Sequence, residues 1–367
     1  MRVPGGRRHA DWSGDWFHQP TGRIRQRPAC SCARNRGDDL QEPGHRREHH
    51  HVERPHGSAA IPRRSPLAPA GTGLSLPDVR KLVIGCGYLG QRVAEAWSAA
   101  GHEVHVVTRS ADRAREFSAL GWMAHVADVC QPATLRCLPT VDTALFCVGY
   151  DSQSAHSRSA VMVDGLAHVL DVCRDRCRRF LYTSSTSVYG QCQGEWVDER
   201  SVCAPTQPGG VCCLQAERLI AATFSAPHGA GEGAQILRLA GLYGPGRLLA
   251  RGATLQRGEP LPGRGDAWLN LIHVDDAVAC LLACEERGKA GETWLVCDDQ
   301  PVRRIDYYSA LAELIGAPHP QFDETVPASR GGGQLNKRCS NRKMRQELGV
   351  FLRYPSYREG LPHAVGR

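Results

Sequence analysis

The hexapeptide GCGYLG, Gly85 to Gly90, stands between the apolar run KLVI and the helical pattern QRVAEAWSAAG. Few short features restrict a fold as tightly. Gly85 permits a sharp turn out of the strand, Gly87 lets bare backbone approach an anion, and Gly90 lets the helix pack close against the strand. Tyr88 and Leu89 lie in the turn before the helix, whose unpaired N–H groups and dipole favour negative charge. The spacing predicts the first strand–helix unit of a nucleotide-binding sheet, with Gly85, Gly87, Tyr88, Leu89 and Gly90 around a pyrophosphate.

Downstream the same alternation continues. HEVHVVT, MAHVADV, TALFCVG, RFLYTSS, AQILRLAGLYG and TWLVCDD read as strands, with ADRAREFSALG, AVMVDGLAHVLDVCRDR and VDDAVACLLACEERG as helices between them. Short apolar runs separated by amphipathic helices predict an α/β fold, a doubly wound parallel sheet of Rossmann type. Gly- and Pro-rich connections divide it into a dinucleotide-binding part over 78–245, to which 268–300 return, and a smaller substrate lobe over 246–267 and 301–367. Residues 1–77 have no sustained period and are rich in Arg, His, Pro and Gly. Such composition cannot bury enough apolar surface to offset ordering, so a disordered extension or a non-native leader is expected; the tract His49–His51 and the basic charge suggest metal or nucleic-acid binding as the sharper readings.

The formal charge of +7 sits mainly in that leader, where 13 Arg face 7 Asp and Glu. The remainder is close to neutral, which argues against a nucleic-acid partner. The 16 cysteines are scattered through strands and helices without disulfide-framework spacing or a His at ligand spacing, so a reducing cytoplasm and no metal site are expected. No apolar run is long enough for a membrane span.

The second strand ends in Thr108, Arg109 and Ser110, where an Asp or Glu would take a ribose 2′-hydroxyl. A guanidinium and two hydroxyls suit a 2′-phosphate, so NADP(H) is expected over NAD(H). Asp128 and Val129, ending the third strand, are placed at the adenine, with turn capping as the alternative role for Asp128.

Taken with GCGYLG, the segments FLYTSSTSVYG, RLAGLYGPGR and NLIHVDDAV resemble the short-chain dehydrogenase/reductase superfamily, and within it the extended and atypical members called NAD-dependent epimerase/dehydratase proteins. The resemblance runs from Arg80 to the C-terminus. It implies that Ser185, four positions before Tyr189, holds a substrate carbonyl, with Ser184 and Thr186 beside it. It also implies a Tyr-xxx-Lys pair, in which Lys lowers the phenol's pKa for proton exchange. Aligning on Glu217 puts Gly209 and Cys213 at those positions. Tyr189, Tyr150 and Tyr243 are then the alternative phenols. Arg247 and the group His273, Asp275 and Asp276 correspond to family positions at the substrate cleft, or alternatively Asp276 caps a helix and His273 satisfies buried backbone. The implied function is NAD(P)-dependent oxidoreductase or epimerase-like chemistry on a small polar substrate, nucleotide sugars included, by a homodimer. The rival reading is a catalytically inactive NADP(H)-binding sensor or regulatory protein.

Overall fold

The structure, a computed structural model, describes residues 79–225, 233–325 and 335–366. The expected disordered leader, 1–77, lies outside the described residues. Five apolar runs form β1 (Arg80–Ile84), β2 (Glu103–Thr108), β3 (Met123–Val126), β4 (Val141–Phe146) and β5 (Cys177–Ser185). With Gly233–Leu239 and Thr293–Val296 they build one seven-stranded sheet. From one edge the order is Thr293–Val296, Gly233–Leu239, β5, β4, β1, β2, β3, and every pair is parallel. The predicted doubly wound fold is therefore present.

Burial on both faces explains the nearly continuous apolar runs. In β1 only Arg80 is exposed, and Leu82, Val83 and Ile84 are wholly buried. Helix α1 (Tyr88–Ala99) turns Leu89, Val93 and Trp97 onto the sheet at the four-residue spacing of one helix face. One polar group interrupts β1: Lys81 pairs beneath the surface with Glu285 of the helix Val274–Arg287, and Trp97 Nε1 donates to the same carboxylate at 2.8 Å. That ion pair joins sheet to helix layer, leaving no buried charge unmatched there.

Because β2 and β3 wind to one side of β1 and β4 to the other, the sheet has its switch point between β1 and β4. A crevice at the carboxyl ends of strands opens at such a point. The sequence reads AQILRLAGLYG as one strand, but it breaks after Leu239. Gly241–Tyr243 leaves the large sheet and pairs in parallel with Leu271–His273. The smaller C-terminal region has its own apolar cluster, built on Tyr243, Leu255, Leu261, Tyr307, Leu311 and Leu361. No helix among the described residues is long and apolar enough to cross a membrane.

Candidate functional site at the switch point

Gly85 has φ +97°, and a Cβ there would stand 2.6 Å from the Val148 nitrogen just beyond β4. At Gly90 a Cβ would meet Gly85 O at 2.5 Å and Cys147 Sγ at 2.8 Å. Both positions therefore require glycine, one for backbone conformation and approach, the other for packing. Gly87 caps α1 with no side-chain hydrogen bond, and the first turn carries no acidic residue. A cradle of bare backbone against an uncapped helix start fits the pyrophosphate of a dinucleotide. Leu89 is core. Tyr88 spans the mouth: its hydroxyl donates to Pro245 O at 3.2 Å, and the guanidiniums of Arg92 and Arg247 stand 4.2 and 5.1 Å from its ring. Burial holds its phenol up at about 12.

At the end of β2, Thr108 Oγ1 accepts the Ser110 N–H at 3.2 Å, and Ser110 Oγ caps α2 (Ala111–Ala119) by accepting the Arg113 N–H at 3.3 Å. Arg109 is exposed. A residue the sequence reading missed stands beside them. Arg113 Nη2 donates to Cys86 O at 3.0 Å, inside the glycine turn, while its guanidinium lies 4.9 Å from the Phe117 ring. Its Nε is buried without a hydrogen-bond partner among the described residues. The available signal was its place three residues after a serine cap, which turns it back toward β1. Asp128 makes a turn: Oδ1 accepts the Cys130 N–H at 2.9 Å. Val129 is buried against Gly165, and its carbonyl accepts from His168 Nδ1 at 2.8 Å.

Ser184 and Ser185 alternate across the end of β5, and the alternation separates their roles. Ser185 is half-buried, and its Oγ accepts the Ser187 N–H at 3.1 Å, leaving its own proton to donate. Ser184 faces inward and donates to Glu217 Oε1 at 2.5 Å. Glu217 also holds Arg238 through Nε at 3.1 Å and Nη2 at 2.7 Å, and Arg238 Nη1 donates to Tyr189 Oη at 2.8 Å. Tyr189 is completely buried, and burial raises its pKa despite the guanidinium. This geometry removes Ser184 from the substrate and Tyr189 from proton transfer, since both hydroxyl groups are committed to the interior. Thr186 begins the turn that follows, with its hydroxyl bonded toward Cys339.

The helix Pro208–Thr223 carries Gly209 in its first turn and Cys213 one turn on. Burial pushes the Cys213 thiol up to about 12, so no thiolate replaces an ammonium there. Tyr243 is also fully buried. Its hydroxyl donates to Ser356 O at 3.3 Å, directly under Gly360, which takes it out of the crevice. Tyr150, just beyond β4, is half-buried beneath the Arg158 guanidinium at 4.2 Å.

His273 and Asp276 exchange their anticipated structural roles. His273 Nδ1 accepts the Asp275 N–H at 3.2 Å and so caps the helix Val274–Arg287. Asp276 instead accepts the N–H groups of Arg353 and Tyr354, at 2.7 and 2.9 Å, and fastens the C-terminal segment. His273 Nε2 lies 3.2 Å from His363 Nδ1, and burial lowers the His273 pKa to about 4. His273, Asp275 and His363 bring possible metal-ligand atoms within 4.8 Å of one another, a juxtaposition no sequence spacing announces. Both nitrogens of the neutral His273 are nevertheless engaged, one as acceptor and the other with His363.

The sequence pattern of the NAD dependent epimerase/dehydratase family matches residues 82–297. Among curated proteins, a 3-diazoavenalumate denitrifying reductase from a Streptomyces species is 31% identical, over 77% of this chain and 99% of its own. YeeZ of Escherichia coli K12 is also 31% identical, but the match spans 48% of this chain and only 59% of YeeZ. Among solved structures, UDP-glucose 4-epimerase of Thermotoga maritima, solved with UDP-glucose, superposes with a TM-score of 0.65 at 20% identity, over 78% of this chain and 97% of that one. That likeness concerns the fold.

Proposed function

The chain belongs to the NAD dependent epimerase/dehydratase family, and on that premise we propose an NAD(P)-dependent oxidoreductase acting on a small polar substrate. The observation that carries this reading is the side-chain-free cradle Gly85–Gly90 at the switch point, with the half-buried Ser185 hydroxyl at the carboxyl end of β5. A nicotinamide dinucleotide bound there supplies or accepts the hydride. The first-turn amides of α1 hold the anionic bridge. Ser185, already accepting a backbone N–H, donates a hydrogen bond to the substrate oxygen and stabilises charge developing on it, while the proton that completes a reduction comes from solvent. Gly209 and Cys213 leave the facing helix without phenol or ammonium, so the reaction is one whose acceptor takes no proton from that helix.

NADP(H) is favoured over NAD(H) because Arg109 follows β2 and Arg113 reaches back from α2 to the glycine turn, with no carboxylate at 108–110. The reductase among the relatives supports reduction, and the Thermotoga protein brings nucleotide sugars into the substrate screen. Gly209 and Cys213, at the positions where the resemblance implies Tyr and Lys, favour a second reading, a cofactor-binding sensor without turnover.

Tryptophan fluorescence titration with NADPH and NADH tests the first step. Arg109→Ala and Arg113→Ala should each weaken NADPH by about tenfold, with NADH little changed. Equal wild-type affinity for both would remove the NADP preference. Oxidation of NADPH is then screened against aldehydes, ketones and UDP-sugars, where Ser185→Ala should lower turnover by roughly 100-fold. Tight binding with no turnover on any of them selects the sensor.

A further inference from the structure

Gly209, where the family resemblance implies a Tyr, stands beside chemistry of its own. A Cβ built on Gly209 would meet Arg158 Nη1 at 3.8 Å, and among the described residues no other heavy atom outside the helix's own backbone lies within 4 Å. A side chain leaving position 209 therefore starts toward a guanidinium. That guanidinium is stacked on Tyr150, 4.2 Å from the ring, at the mouth of β4. A guanidinium held over a ring face still has in-plane N–H groups to offer an oxyanion. Arg158 is half-buried, and among the described residues no carboxylate oxygen stands within 4 Å of its guanidinium. The neighbouring Gly210 is pressed on the Ser187 carbonyl, too close for any side chain. The first turn of the helix thus rests on the turn begun by Ser185, with Arg158 at its open position.

We propose that Arg158, oriented by Tyr150, binds an oxyanionic group of the substrate, a carboxylate or a phosphate, in the open space beside Gly209. The proposal deepens the reductase reading and rests on it for the word substrate, but it concerns a different set of groups from the dinucleotide cradle. It assigns Gly209 a purpose: without a side chain there, the anion has a seat. It also narrows the substrate class to acids and phosphorylated compounds, because a stacked guanidinium without an ionic partner discriminates against neutral compounds.

Calorimetric titration of the full chain, with and without saturating NADPH, tests this with sodium benzoate and inorganic phosphate as probes. At least one should bind; benzoate alone identifies a carboxylate site, phosphate alone a phosphate site. Arg158→Ala should weaken that binding by about tenfold or more, Arg158→Lys by less because charge survives while the fork is lost, and Gly209→Tyr should abolish it. All three variants should keep the wild-type melting temperature and NADPH affinity. The proposal is overturned when neither anion binds at about 10 mM, or when Arg158→Ala binds as tightly as wild type. Loss of anion binding in Arg158→Ala alongside a wild type that ignores NADPH would sink the dinucleotide reading and leave the anion site standing.

Discussion

Glu217 shows how a residue at the edge of a catalytic position can serve the interior instead. It accepts from Ser184 and from two N–H groups of Arg238, and Glu217 and Arg238 are nearly inaccessible, at 5% and 7% exposure. Removing one member leaves the other charge buried without compensation. Glu217→Ala should therefore lower stability by ~3–5 kcal/mol in urea unfolding, whereas Ser185→Ala should stay within ~0.5 kcal/mol because Ser185 holds only a turn at the surface. Equal losses in the two variants would deny the division of labour between adjacent serines. That division was half legible in sequence. Ser185 follows from its distance to Tyr189, but nothing local shows that Ser184 meets a carboxylate thirty-three positions on. Arg113 and Arg158 were missed for the same reason: each acquires its meaning from a partner, Cys86 O or the bare Gly209, that only the folded chain brings near.

Elements were easier to read than residues. A strand buried on both faces must be an apolar run, so β1, β4 and the glycine turn between strand and helix could be read directly. What could not be read was the break after Leu239, because a run that leaves one sheet to pair with Leu271–His273 has the same composition as one that continues. The turn itself yields a test that separates packing from binding. Gly87 has φ −96°, a value open to any residue, so Gly87→Ala should keep the melting temperature while a methyl intrudes on the approach of the anion. Gly90→Ala should lower stability by ~1–3 kcal/mol, since its Cβ would stand against Gly85 O and Cys147 Sγ. Thermal melts and NADPH titrations on both variants measure the contrast. A stable Gly87→Ala that binds as wild type would mean that this turn does not approach a ligand.

At the scale of the whole molecule, the seam between the sheet and the C-terminal region carries two buried titratable groups with opposite pH signatures. Burial, together with Asp299, Asp276 and Glu359, raises the Asp298 carboxyl to about 8 against the single N–H donated by Gln300. The side chain is 1% exposed, and Oδ2 has no partner among the described residues. Raised above its unfolded value, this group contributes stability that is fully present below about pH 4 and is lost as pH climbs through about 8. His273 runs the other way: lowered to about 4, it contributes stability above about pH 6.5 that is lost on acidification. The two slopes oppose each other between pH 4 and 6.5, while from about pH 6.5 to 8 Asp298 acts without that counterweight. Across this upper window wild-type stability should fall by up to ~2 kcal/mol, at about 1.4 kcal/mol per pH unit. Asp298→Asn keeps an oxygen for the Gln300 N–H and carries no charge, so its urea midpoint should be flatter from pH 6.5 to 8 and should exceed that of wild type most clearly at pH 8. Identical slopes in the two proteins would show that the carboxyl finds a counter-charge or water at this seam, and that the C-terminal region is held less tightly over Asp298 than the burial of Tyr243, Tyr307 and Leu271 around it implies.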